Sequence, residues 1–169
     1  MNVMHKFTAL LLCLVLTVSL AACGGVAEAP VGDKICTLAI SCETILDNLH
    51  ELTEGKEDLV PSDGILLAET EVSFSEGESV FDILLREMQS RKIHMSFTTS
   101  PIYESAYIEA IGNLYEFDCG ALSGWMYCVN GVYPDYGVSK YYPQEGDVIE
   151  FHYTCDLGRD LGQVWVEQQ

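Results

Sequence analysis

The best helix in this chain starts at Ser79, and downstream of it the apolar residues alternate instead of recurring every three or four positions. Val80, Phe81, Leu84, Leu85 and Met88 form one apolar face of the helix. Ser79 with Asp82 three residues on is a capping-box pattern. Arg86, Arg91 and Lys92 fall in its second half, where the helix dipole favours cations, and the pattern runs out near Ser90. Upstream, 37–41 and 71–74 read as strands, 65–68 as a short extended piece, 43–52 as a short helix or helical turn, and 53–63 as a loop. Downstream, 94–98, 107–111, 114–117, 125–129 and 148–154 read as strands. Gly112-Asn113 signals a turn between two of them. Asn130-Gly131 between apolar runs signals a hairpin continuing into Val132-Tyr133, because both turn residues need positive φ. One main helix over a sheet means an α+β fold. Two opening strands, a crossing helix and a returning last strand predict a β-grasp-like mixed sheet with β-hairpins.

The N-terminus follows a different logic. Met1 to Lys6 is short and basic, Phe7 to Leu20 is apolar and uncharged, and small residues precede Cys23. That is the layout of an export signal. Its apolar run is shorter than the roughly 20 residues that a spanning helix needs. The sequence Leu20-Ala21-Ala22-Cys23 resembles the lipobox of bacterial lipoproteins. The resemblance implies cleavage before Cys23, lipidation of its thiol, and anchoring at the extracytoplasmic face of the cell membrane. The organisation expected is a signal peptide over 1–22, a lipidated N-terminus and tether over 23–35, a folded domain over 36–162, and a tail over 163–169. Val164-Trp165-Val166 in that tail could pack back.

Without residues 1–22 the chain has 147 residues, with 26 acidic and 7 basic side chains, a formal charge of −19. That length suits one domain with its own core. The acidity disfavours nucleic acid, whose phosphates need a basic footprint. Five cysteines remain beyond Cys23: Cys36, Cys42, Cys119, Cys128 and Cys155. Five is odd, so at least one stays free or pairs between chains. An exported protein can keep disulfides. In a β-grasp sheet the first and last strands lie side by side, which brings Cys42 towards Cys155. Cys42–Cys155 is therefore the pairing expected, with Cys119–Cys155 as runner-up. No CxxC and no zinc spacing is present, so the sequence predicts no metal site.

The pieces "EVSFSEGESVFDILLREM", "YIEAIGNLYEFDCGALSGWMYCVNGVYP" and "YYPQEGDVIEFHYTC" occur in that order. Together they resemble the transcobalamin-like C-terminal domain family, bacterial surface domains similar to the β-domain of transcobalamin and intrinsic factor. In those carriers the domain closes over one face of cobalamin while a larger helical barrel holds the other, and this chain has no residues for that barrel. The resemblance implies contact with cobalamin or a related corrinoid as ligand, with no covalently held cofactor. It singles out Trp125 in particular.

Catalytic motifs are missing: His50, His94 and His152 lie in no HExxH, and no Gly-x-Ser-x-Gly occurs. The chain is therefore expected not to be an enzyme. Trp125, Tyr127, Tyr133 and Tyr136 cluster around the predicted hairpin as ligand-contact candidates, since rings with polar tips suit flat ligands and protein partners. Alternation puts Trp125, Tyr127 and Val129 on one face, which leaves a purely structural role for Trp125 and Tyr127 equally open. Asp118, Asp156 and Asp160 near strand ends match no calcium-loop spacing and read as solvated loop acids. The function expected is a membrane-anchored ligand-binding lipoprotein. The alternative is a surface module contacting a protein or glycan without corrinoid binding.

Overall fold

The computed structural model describes residues 32–102 and 104–163. The expected signal, the lipidated Cys23, most of the tether and Val164-Trp165-Val166 lie outside the described residues. Among the described residues no helix is long and apolar enough to cross a membrane.

The fold is α+β, built on two sheets where the sequence pattern suggested one. Strands β1 (Lys34–Ser41) and β2 (Ile65–Phe74) pair antiparallel, and β1 also pairs in parallel with β7 (Val148–Thr154). Strand β6 (Gly124–Val129) closes the four-stranded sheet, in the order β2-β1-β7-β6. A second, antiparallel sheet is formed by β3 (Met95–Ser100), β4 (Ser105–Ile111) and β5 (Leu114–Tyr115). Helix α1 (Thr44–Asp47) is a single turn, and α2 (Val80–Arg91) is the long helix between β2 and β3.

The local chemistry explains most of these limits. Ser79 accepts from the Asp82 backbone N–H while Asp82 accepts from that of Ser79, so the capping box forms as the pattern predicts. The helix stops at Lys92, whose left-handed backbone (φ 58°) lets its N–H reach back to the last carbonyls. Its buried face is Val80, Ile83, Leu84 and Met88. Ile83 thus takes the place expected for Leu85, and Phe81 turns instead to meet Phe97 of β3 edge-on at 4.8 Å. The predicted extended piece at 65–68 and strand at 71–74 join into the single ten-residue β2.

Alternation along β1, β6 and β7 sends Leu38, Ile40, Trp125, Val129, Ile149, Phe151 and Tyr153 into one buried cluster with the α2 face. Side chains of the second sheet, Ile108, Ile111 and Leu114, join the same cluster.

Two turns behave differently from each other. Gly112 and Asn113 (φ 63° and 65°) make the tight β4–β5 hairpin. Asn130 and Gly131 (φ 52° and 75°) also turn the chain as expected, but the return is a single bridge from Val132 to Val129. The predicted Val132-Tyr133 strand does not form. Strand β7 pairs with the other edge of β6, over 149–154, and β6 ends the sheet.

Candidate functional site

A cleft of about 560 Å³ opens beside the start of β6, walled by Tyr107, Phe117, Leu122, Trp125, Met126 and Leu157. Its size falls in the range of small-molecule pockets, roughly 300–1,000 Å³. The lining is almost wholly apolar. Phe117 and Leu157 are 61% and 49% exposed at its rim.

The rim residues hold an unusual backbone. Among the described residues six non-glycine residues have positive φ, and Phe117 (φ 67°) and Leu157 (φ 48°) are the two large apolar ones of these. A bulky side chain costs of order 1–3 kcal/mol in such a conformation and persists only where its surroundings over-determine it. Here both are pinned to the same short segment. The Phe117 N–H donates to the Ser123 carbonyl at 3.1 Å, and the Leu157 N–H to the Leu122 carbonyl at 3.0 Å. The Ser123 hydroxyl sits 2.9 Å from the Tyr153 hydroxyl, which in turn donates to the Tyr115 carbonyl at 2.7 Å. The loop after β5 is held further by Asp118, which accepts from the Tyr115 N–H and pairs with Lys56. After β7, the Thr154 hydroxyl oxygen accepts from the Gly158 N–H at 2.7 Å. Two loops from different parts of the chain are thus clamped so that each projects an apolar side chain over the cleft.

The four aromatic candidates are separated. Trp125 is 9% exposed: its Nε1–H donates to the Leu114 carbonyl at 2.8 Å and its ring meets Tyr153 edge-on at 5.2 Å. It is both a core side chain and part of the cleft wall. Tyr127 points to the same face, stacks on Phe151 at 6.0 Å, and donates its hydroxyl proton to the Tyr136 carbonyl at 2.7 Å. Burial raises the pKa of its phenol. Tyr136 is exposed and stacks on Tyr141 at 6.0 Å. Tyr133 and Tyr136 border a separate hollow of about 410 Å³ beyond the Asn-Gly turn. Tyr107, which lines the cleft with Trp125, hydrogen-bonds Glu116 through its hydroxyl; burial and that carboxylate push its phenol up to about 12. The sequence pattern did not single out Tyr107, Phe117, Leu122 or Leu157.

The five cysteines are free thiols. Cys42 is buried at the end of β1, with its thiol pushed up to about 12, chiefly by burial. Cys119 and Cys155 interact directly: burial first, then the Cys155 side chain, push the Cys119 thiol up to about 12. The loop acids have structural partners. Asp156 pairs with Arg159, and Asp160 accepts from the Cys155 N–H and the Thr154 hydroxyl.

Residues 77–155 match the profile of a family described as a domain of unknown function, DUF4430. No curated protein matches this chain. Among solved structures it is similar to haptocorrin in complex with Cbi, with a TM-score of 0.49 and 14% identity over 73% of this chain. It spans 26% of that haptocorrin chain. It is also similar to a structure named "putative metal binding protein" from Ruminococcus gnavus, with a TM-score of 0.43 and 11% identity, covering 72% of this chain and 97% of that one.

Proposed function

We propose that this chain is an exported lipoprotein, anchored through Cys23, whose folded domain binds a small extracytoplasmic ligand in the cleft beside Trp125. The observation that carries the reading is the strained apolar rim. Phe117 and Leu157 are held in costly conformations and leave much of their surface in water, which is an arrangement expected of a ligand clamp rather than of a core. A corrinoid is the specific candidate, on the resemblance of "SGWMYCVNG" and the flanking pieces to the lid domain of cobalamin carriers. The parallel β1–β7 pairing and the helix after β2 agree with the β-grasp-like architecture that the resemblance implies. An open cleft of about 560 Å³ would cover part of such a ligand, and the opposite face would be held by a partner or left to solvent.

The second reading is a surface module for a protein or glycan. It draws on Ile102, 86% exposed, which borders another hollow with Pro134 and Tyr136. Titrating the purified chain with cobalamin, read by calorimetry and by quenching of tryptophan fluorescence, separates the two. Saturable binding that is weakened tenfold or more by Phe117→Asn supports the cleft. Absence of binding by the wild-type chain overturns the corrinoid assignment and leaves the surface module.

A further inference from the structure

On the face of the four-stranded sheet opposite the core, three side chains converge. Strands β6 and β7 run antiparallel with Cys128 opposite Glu150 and Met126 opposite His152. Cys128, Glu150 and His152 therefore share a face, and one ligand atom from each lies within 4.8 Å of the others. The Cys128 thiol donates to Glu150 Oε2 at 3.3 Å, and Glu150 Oε1 lies 3.9 Å from His152 Nε2. Bond lengths of about 2.0–2.3 Å to zinc put the donor atoms of a tetrahedral site about 3.3–3.5 Å apart. The Cys128–Glu150 spacing already meets this, while His152, within 4.8 Å of the other two donors, must draw in for all three to share one ion.

The surroundings suit a cation. Glu43, Glu69, Glu150 and His152 share the wall of a hollow of about 150 Å³ that reaches this face from solvent. Glu150 and His152 are partly exposed while Cys128 is 2% exposed, so the site has an open side and a protected sulfur. Tyr133 lies over the same spot, its ring 6.1 Å from that of His152.

We propose that Cys128, Glu150 and His152 form a three-ligand site for a borderline divalent cation of the zinc class, with water in the fourth position. One sulfur, one imidazole nitrogen and one carboxylate oxygen is a donor set that favours zinc over calcium or magnesium, which take oxygen ligands. On binding, the S–H bond breaks, the metal–sulfur bond forms, and the proton leaves to solvent. In the metal-free protein burial and the Glu150 carboxylate keep this thiol protonated, pushed up to about 12.

The test uses cobalt(II) as the probe on the purified, reduced chain. A thiolate-to-cobalt charge-transfer band should grow to one equivalent and be erased by zinc. Cys128→Ser should remove the band, and His152→Asn and Glu150→Gln, both at partly exposed positions, should each weaken cobalt binding tenfold or more. Cys155→Ser should leave it unchanged. No band with the wild-type chain overturns the proposal. So does a band that survives Cys128→Ser, or one lost in Cys155→Ser instead, which would assign the metal to the Cys119 and Cys155 thiols.

Discussion

Replacing Trp125 by alanine is predicted to destabilise the domain severely. The indole is 9% exposed and lies in the buried cluster shared by both sheets. Truncating a buried aromatic to alanine costs about 3–5 kcal/mol through lost transfer energy and the cavity left behind. The Leu114 carbonyl loses the 2.8 Å hydrogen bond from the indole N–H, for roughly 1 kcal/mol more. The edge-on contact with Tyr153 goes as well, and its contribution overlaps the packing loss. About 4–6 kcal/mol is therefore expected in all. At roughly 3–4 °C per kcal/mol for a domain of this size, the melting temperature should fall by about 12–24 °C. Differential scanning calorimetry of the two proteins measures it. Trp125→Phe keeps most of the apolar volume and should lose less than half as much. A drop below about 5 °C for the alanine variant would refute the reasoning, because the indole would then be a surface ring and not a structural wall of the cleft.

Other substitutions separate cleft from core and anchor from domain. Phe117→Asn should leave the melting temperature within a few degrees of wild type, since asparagine tolerates positive φ and the ring lost was 61% exposed; a fall as large as that of Trp125→Ala would mean the ring is a packing element. Cys23→Ser should abolish incorporation of radioactive palmitate in cells, and equal labelling of mutant and wild type would rule out the lipid anchor. Under oxidising conditions, peptide mapping without reductant should find Cys119 joined to Cys155, whose side chains interact, and should leave Cys36 and Cys128 reduced; recovery of Cys42 joined to Cys155 would restore the pairing that strand order alone suggested. Alkylation of the reduced native chain should be slow at neutral pH and accelerate only in strong base, because burial pushes Cys36 to about 11 and Cys42 to about 12. Fast labelling of either at pH 7 would show that these sites open readily.

Where a short-range rule governs an element, the sequence alone was a good guide. The Ser79–Asp82 box depends on four residues, the Gly112-Asn113 turn on two, and β7 on strict alternation within seven, and each forms where its pattern lies. The failures involve partners distant in sequence. Val132-Tyr133 has the composition of a strand, but its return along β6 stops at the single Val132–Val129 bridge, and the six residue pairs of β6 are all with the distant β7. One sheet was expected where two form, because alternation tells which face a residue takes and not which strands it joins. Leu85 and Ile83 are equally apolar, and only the position of the sheets over α2 decides which is buried. Cys128, Glu150 and His152 follow no recognisable metal-ligand spacing. Two are neighbours on one strand, the third is 22 residues away, and strand register alone brings them to one face.

The cleft is hidden in the sequence for a more specific reason. Turns that need positive φ usually show themselves through glycine or asparagine, as at Gly112, Asn113, Asn130 and Gly131. Phe117 and Leu157 give no such signal, and each reads locally as an ordinary strand or loop hydrophobe. Their conformations are imposed from outside, by the carbonyls of Leu122 and Ser123 and by the Tyr153 hydroxyl that steadies Ser123. Tyr153 is also the residue that the Trp125 ring meets edge-on. One side chain on the last strand therefore links the cleft wall to the segment that fixes both rim residues. Tyr153→Phe removes a single oxygen from this arrangement. It keeps the ring contact with Trp125 but takes one partner from the Ser123 hydroxyl, which keeps the Cys119 N–H and the Gly120 carbonyl, and one from the Tyr115 carbonyl, which keeps the Asp118 N–H, at a cost of about 1–3 kcal/mol for hydroxyl bonds lost in a buried site. Relaxation of Phe117 and Leu157 offsets part of that cost. The rim should therefore loosen more than the core, giving faster amide hydrogen exchange at residues 117–123 and 157–158 with little change along β1 and β7. Exchange that rises uniformly across the four-stranded sheet would show that Tyr153 supports the core as a whole and that the rim is held by other contacts.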